Sequence, residues 1–240
     1  MNLIPLLTLI LLVIFISTLL RSAFGFGNAL IAMPLLVLLL DLKTATPLVA
    51  LVGIVTALVM LLREWRQLEI REVLSLLLAS LAGIPVGLYL LVSLPENIIK
   101  GILGLVLILF GVFNLTGITL PKPKRKWLAL PFGFFSGILG GAYNANGPPI
   151  VIYALLKGWN KEKFRATLQG YFFVTGLVVA AGHGLSGLWS RQVLIFFLAS
   201  TPVVILGVLA GEKITSRVSG DRFNQILYIF LILLGFLMFI

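Results

Sequence analysis

Gly140-Gly-Ala-Tyr-Asn-Ala-Asn-Gly-Pro-Pro149 separates two apolar runs, 127–142 and 148–156, and neither is long enough to cross a bilayer, which takes roughly 20 residues and at least about 17. An earlier stretch, Phe24-Gly-Phe-Gly-Asn28, stands in the same relation to the short run 28–40 that follows it. Irregular backbone at membrane depth is tolerated only against protein or a wet cavity, because its polar groups find no partner in lipid. Each interruption therefore predicts a helix pair broken at depth, or a re-entrant hairpin.

The rest of the chain fits a lipid solvent. Of 240 residues, 60% are hydrophobic and 11% charged, and the mean hydropathy is +1.15. Soluble domains carry about 25% charged residues. Reading apolar runs between charges, Pro and Gly yields ten segments: 3–24, 28–40, 46–62, 73–92, 98–118, 127–142, 148–156, 166–182, 192–211 and 223–240. The first is expected to be a retained helix rather than a signal peptide, since its first basic residue, Arg21, follows the apolar stretch. There is no cysteine, which excludes disulfides and thiolate chemistry.

A net charge of +10 in a soluble protein would suggest nucleic acid, but here the charges lie in clusters between apolar runs. If the segments alternate direction, fifteen of the eighteen Lys and Arg residues fall on one side and only Lys43, Lys100 and Arg191 on the other. The excess marks the cytoplasmic side of a cell-membrane protein and places both termini outside. No nucleic-acid partner is expected.

The glycines suggest a repeat. Gly83, Gly87 and Gly111 recur as Gly207, Gly211 and Gly235, each pair 124 residues apart, and Ala45-Thr46 is matched by Ala166-Thr167 at 121. Two units, 1–120 and 121–240, follow. Five segments in each give the units opposite orientations, an inverted-topology repeat of the kind found in secondary transporters. The two G-x-x-x-G motifs are expected to mark close helix packing within each unit.

In such transporters the substrate meets half-helix N-termini near mid-depth, where free N–H groups and the positive dipole end favour anions. Segments beginning near Asn28 and Gly147 would supply them. Candidate substrate-binding residues are Phe24, Gly25, Phe26, Gly27 and Asn28 at the first break and Tyr143, Asn144, Asn146, Gly147 and Pro148 at the second. Thr46, Thr167 and Gln169 lie at or near equivalent repeat positions, and either line the cavity or join helices by hydrogen bonds. Arg21 stands three residues before Phe24; it either meets an anion through its fork or, as helix-end arginines more commonly do, snorkels to the interface. Arg165 and Lys163 are expected in the cytoplasmic cluster. The lone His183 is either a proton relay or structural.

All eight acidic residues fall in loops or at segment ends, which argues against cation transport and for an anionic cargo. No phosphate-binding G-x-x-x-x-G-K-[S/T] occurs, and the apolar segments hold no nucleophile–base pair or metal cluster, so neither an enzyme nor a cofactor is expected.

In Gly25-Phe-Gly27-Asn-Ala-Leu-Ile-Ala-Met-Pro34, in Gly140 through Tyr153, and in Phe164-Arg-Ala-Thr167, the chain resembles the TauE/SafE family of sulfite and organosulfonate exporters. The resemblance implies an all-α polytopic carrier that exports sulfite, sulfonates or related sulfur-containing anions, driven by an ion gradient of protons or sodium. Against the glycine-richer motifs of typical members, Asn28, Tyr143, Asn144 and Asn146 are bulkier. Alternating access between two inverted halves is the expected mechanism. An anion channel, an intramembrane enzyme and a scaffold are the alternatives, and a homo-oligomer is compatible with the chain.

The charge asymmetry has a direct check. A cysteine introduced at position 124 of this cysteine-free chain should react with a membrane-impermeant thiol reagent in inside-out vesicles and stay unlabelled in intact cells.

Overall fold

The computed structural model describes residues 3–118, 126–215 and 221–239. The predicted basic positions Lys122, Lys124, Arg125 and Arg217 lie outside them. The described residues form ten α-helices and no strand. They are α1 (Leu3–Phe24), α2 (Asn28–Val37), α3 (Leu42–Glu64), α4 (Ile70–Ser93), α5 (Glu96–Leu115), α6 (Ala129–Tyr143), α7 (Gly147–Lys157), α8 (Lys161–Leu185), α9 (Arg191–Thr215) and α10 (Asp221–Leu237).

Six of these, α1, α3, α4, α5, α8 and α9, are long and apolar enough to cross a membrane. The short helices α2, α6 and α7 are the ones that flank the two interruptions. Large apolar side chains such as Leu78, Leu105, Leu109, Leu198 and Leu206 point outward, while Ser17, Ser80, Thr56, Thr175 and Ser200 are buried. That inversion of the soluble pattern suits a lipid surround, because a hydroxyl facing hydrocarbon would lose its partners. Most of the buried hydroxyls are satisfied locally: Thr56, Ser80, Thr175 and Ser200 each donate to the carbonyl four residues earlier.

Several helix contacts have a counterpart when the first five helices are exchanged with the last five, while those of α2 with α3 and α10 are not matched to the same extent. The contact of α4 with α6 is answered by α9 with α1, α3 with α9 by α8 with α4, and α1 with α2 by α6 with α7; α3–α8 and α5–α10 answer themselves. Each broken pair is thus clasped by a full-length helix from the other half.

Glycines make that clasp possible. A Cβ at Gly83 or Gly87 of α4 would collide with the backbone of Phe134 or Ile138 of α6, and one at Gly137 or Gly141 of α6 with the backbone of α4. Gly211 of α9 meets the Leu19 carbonyl of α1 in the same way, and Gly104 of α5 and Gly235 of α10 abut each other's carbonyl oxygens. The G-x-x-x-G faces therefore join the halves, correcting the expectation that they pack within each one. The reason is that α4 and α9 have their extensive contacts in the opposite half.

Gly87→Ala should be strongly destabilising, since the added methyl meets main chain that has no room to move; overpacking costs about 1–3 kcal/mol even where side chains can shift. Gly101→Ala is the control, because its Cβ would lie 3.6 Å from the edge of Phe239 at ordinary contact. Thermal unfolding in detergent should show a markedly lower midpoint for the first variant and almost none for the second.

Candidate functional site

Both interruptions end at a small cavity of about 40 Å³. Its position is set by helix geometry: it is lined from α3 by Val49, Ala50 and Gly53, halfway along that 23-residue helix, and from α8 by Phe172 and Gly176. The N-termini of α2 and α7 complete it with Gly27–Leu30 and Asn144–Gly147, and Arg21 of α1 projects into it.

At the first break, Gly25 (φ +85°) and Gly27 (φ +100°) hold left-handed backbone that L side chains rarely adopt, and this reverses the chain from α1 into α2. Asn144 (φ 56°) makes the corresponding turn at the second break, a conformation asparagine tolerates better than other non-glycine residues. Its amide donates to the Thr46 carbonyl at 2.7 Å and ties the turn to α3. Asn146 is anchored twice, through Nδ2 to Thr175 Oγ1 at 3.1 Å and through its carbonyl, which accepts from Ser136 Oγ at 2.6 Å. The Tyr171 hydroxyl donates to Ser136 and lies 2.6 Å from Ser80 Oγ, extending the anchor into α8 and α4.

Arg21 is buried, with 5% of its surface exposed, and so does not snorkel. Its Nη2 donates to Gln169 Oε1 at 2.8 Å and its Nη1 to the Gly53 carbonyl at 3.3 Å, while the guanidinium lies 5.1 Å from the centre of the Phe172 ring. Gln169 Nε2 in turn donates to the Gly25 carbonyl at 2.7 Å, so one side chain holds both the arginine and the break. Arg21 Nε has no partner, and neither amide atom of the buried Asn28 has one. No carboxylate among the described residues pairs with Arg21.

The two helix starts differ in what they offer. Neither Gly27 nor Asn146 caps its helix with a side-chain bond, so both first turns keep unclaimed backbone donors. At α2 these belong to Asn28, Ala29 and Leu30. At α7, Pro148 and Pro149 have no N–H, which leaves Gly147 as the donor at that end.

Of the candidate residues, Arg21, Gly27, Asn28, Asn144, Asn146 and Gly147 line the cavity. Gln169, Gly25 and the Thr46 carbonyl support it from behind. Phe26 packs edge-on against Phe110 and Phe164 instead. Pro148 lines an outer apolar groove with Phe132 and Phe135, and the Thr167 hydroxyl accepts from the Glu69 amide at 3.3 Å. Phe24 and Tyr143 are outside the lining as well. His183 is buried away from the cavity, with Nε2 3.4 Å from the Gly141 carbonyl. Gly53, Phe172 and Gly176 line the site without having been singled out from the sequence; for Phe172 and Gly176 the one signal is spacing, since 169, 172 and 176 share a face of α8.

The model of the sulfite exporter TauE/SafE family matches residues 9–238. The chain belongs to this family. Over 204 residues it is 25% identical to a probable sulfite/organosulfonate exporter TauE of Cupriavidus necator, covering 82% of this chain and 79% of that protein. No solved structure matches. As a TauE/SafE member the chain is a multi-pass membrane transporter and not an enzyme.

Gln169→Leu keeps the side-chain volume and removes two hydrogen bonds, leaving a buried guanidinium short of an acceptor. The cost should be roughly 1–3 kcal/mol, read as a lower thermal midpoint in anion-free detergent solution.

Proposed function

We propose that this protein carries sulfite, or sulfonates and related sulfur oxyanions, across the cell membrane by alternating access around the central cavity. The observation that carries the reading is the buried Arg21 with no carboxylate partner among the described residues, placed beside the unpartnered amide of Asn28. An uncompensated charge inside a membrane protein is costly and marks a substrate path. A small oxyanion supplies what the site lacks: negative charge for the guanidinium, and lone pairs for the Arg21 Nε–H, the Asn28 amide and the free N–H groups of α2.

The size and chemistry of the cavity fit that cargo. A space of about 40 Å³ suits a solute of a few heavy atoms, such as sulfite or the head group of a sulfonate. Every acceptor that approaches Arg21 is neutral, so the bound state gains an ion pair that the empty state does not have. The name borne by the Cupriavidus necator relative points to the same anions.

The matched helix contacts support a pair of inverted halves, 1–120 and 121–240, with α1–α2 and α6–α7 as the equivalent broken hairpins. Rocking of one half against the other around the cavity would expose the anion to each side in turn. Export is the direction that the family name supports, and coupled entry of protons or sodium down their gradient would drive it.

Reconstituted protein should take up labelled sulfite with saturation and counterflow, and unlabelled sulfonates should compete. Arg21→Gln should lower that flux at least about 100-fold, consistent with the loss of a charged hydrogen-bonded pair worth roughly 3 kcal/mol. Gln169→Glu should have a similar effect, because it installs a permanent internal partner for Arg21 at the cost of the donation to the Gly25 carbonyl. Sulfite flux that is unchanged in both variants, or currents without counterflow, would overturn the reading.

A further inference from the structure

A second polar cavity, about 530 Å³, opens at the end of the molecule where α3 finishes and α8 begins. Four basic and three acidic side chains line it, among them Arg66 and Lys161. Arg63 and Glu212, also on its wall, pair with each other. At its floor is a further ion pair in which Arg165 Nε and Nη2 both reach Glu64 Oε1, at 2.8 and 2.7 Å. Arg165 lies with Arg63, Arg66 and Lys161, basic residues of the cluster in which the sequence places it. It is buried, and its aliphatic stem lies against Gly25.

That contact places the pair between the two cavities. Arg165 Nη1 is 3.5 Å from the Ala23 carbonyl, on the vestibule side of the first break. One turn further along α8, Gln169 holds the other side of the same break through Gly25 and receives Arg21. Positions 165, 169, 172 and 176 form a single face of α8 that runs from the vestibule floor into the central cavity. Between the two spaces stand the Arg165–Glu64 pair and the Gly25 turn.

We propose that the Arg165–Glu64 pair is the vestibule-side gate of the transport path, and that it opens when a permeating oxyanion takes the place of the Glu64 carboxylate on the Arg165 guanidinium. This rests on the reading of the central cavity as an anion site. The exchange replaces one oxyanion by another, so Arg165 keeps a partner throughout and no buried charge is stranded. Glu64 is suited to leave. Its Oε2 has no partner, a quarter of its side chain already faces the vestibule, and it ends α3, where the helix dipole disfavours a carboxylate. The anion then has about two turns of α8 to travel, from Arg165 to the cavity-lining Phe172, to reach the central site.

The absence of cysteine allows a clean test. Ala50→Cys places a thiol in the central cavity, and its labelling by a membrane-impermeant anionic thiol reagent is timed in inside-out and right-side-out vesicles. Adding Glu64→Gln should raise the rate about tenfold from the vestibule side alone. Rates unchanged from both sides would overturn the gate. The double exchange Glu64→Arg with Arg165→Glu restores an ion pair but puts a carboxylate in the path; it should preserve the thermal midpoint and cut sulfite exchange at least tenfold, and parental exchange would also overturn the proposal. Should the exchanged protein fail to fold, the Glu64→Gln rates decide the matter alone. Sulfite should protect the Ala50→Cys thiol in the parent protein; absence of protection would count against the anion site itself, whatever the gate does.

Discussion

A guanidinium charge enclosed by protein and lipid, with no carboxylate beside it among the described residues, constrains the rest of this structure. Burying a charge without a partner costs several kcal/mol even after the surroundings relax. Around Arg21 that cost is moderated by neutral groups: the Gln169 amide, the Gly53 carbonyl and the face of Phe172. Each comes from a different point on α3 or α8, so these two helices must pass beside Arg21 partway along their length with their small and polar positions turned inward. Neutral acceptors orient a cation but do not cancel its charge. The site is left short by one negative charge, and the broken helices bring uncapped N-termini to the same place, where they too favour an anion.

Placement to that accuracy needs a rigid frame, and the glycine faces provide it. Where Gly83 and Gly87 lie against α6, and Gly211 against α1, the helices touch through main chain, which permits little sliding. Lipid offers no hydrophobic drive for helices to associate, so close backbone approach is one of the few ways to hold them. Because the clasp joins opposite halves, each break is buttressed by a helix that does not belong to its own hairpin. The buried hydroxyl network of Ser80, Tyr171 and Ser136 fastens Asn146 to that frame.

Much of the fold could be read from local pattern. Apolar runs located all ten helices, and their lengths picked out α2, α6 and α7 as too short to span. The two interruptions were visible as Gly, Asn and Pro clusters within apolar sequence. The partners were not legible. A G-x-x-x-G spacing says that a helix has a smooth face, not which helix will lie on it, and α4 and α9 found theirs across the halves. Arg21 follows the local rule for snorkelling helix-end arginines until a residue 148 positions away in the sequence draws it inward. Phe26, one residue from the cavity-lining Gly27, packs against Phe110 and Phe164, partners far away in sequence that no local pattern reveals.

The correspondence between some helix contacts of the two halves does not extend to the chemistry of the centre. Both breaks present a helix start, but the first half adds Arg21, the free amide of Asn28 and the consecutive N–H groups of α2. The second half answers with Pro148 and Pro149, which surrender two of the donors of α7, and with Asn144 and Asn146, whose side-chain Nδ2 donors are already engaged by Thr46 and Thr175. Positive potential and unclaimed donors thus concentrate on one side of the cavity. An anion held there lies nearer α1 and α2, on the same side as the Gly25 turn that separates it from Arg165. The α6–α7 hairpin, its asparagine amides engaged and its prolines without N–H, forms the more fully satisfied wall of the site.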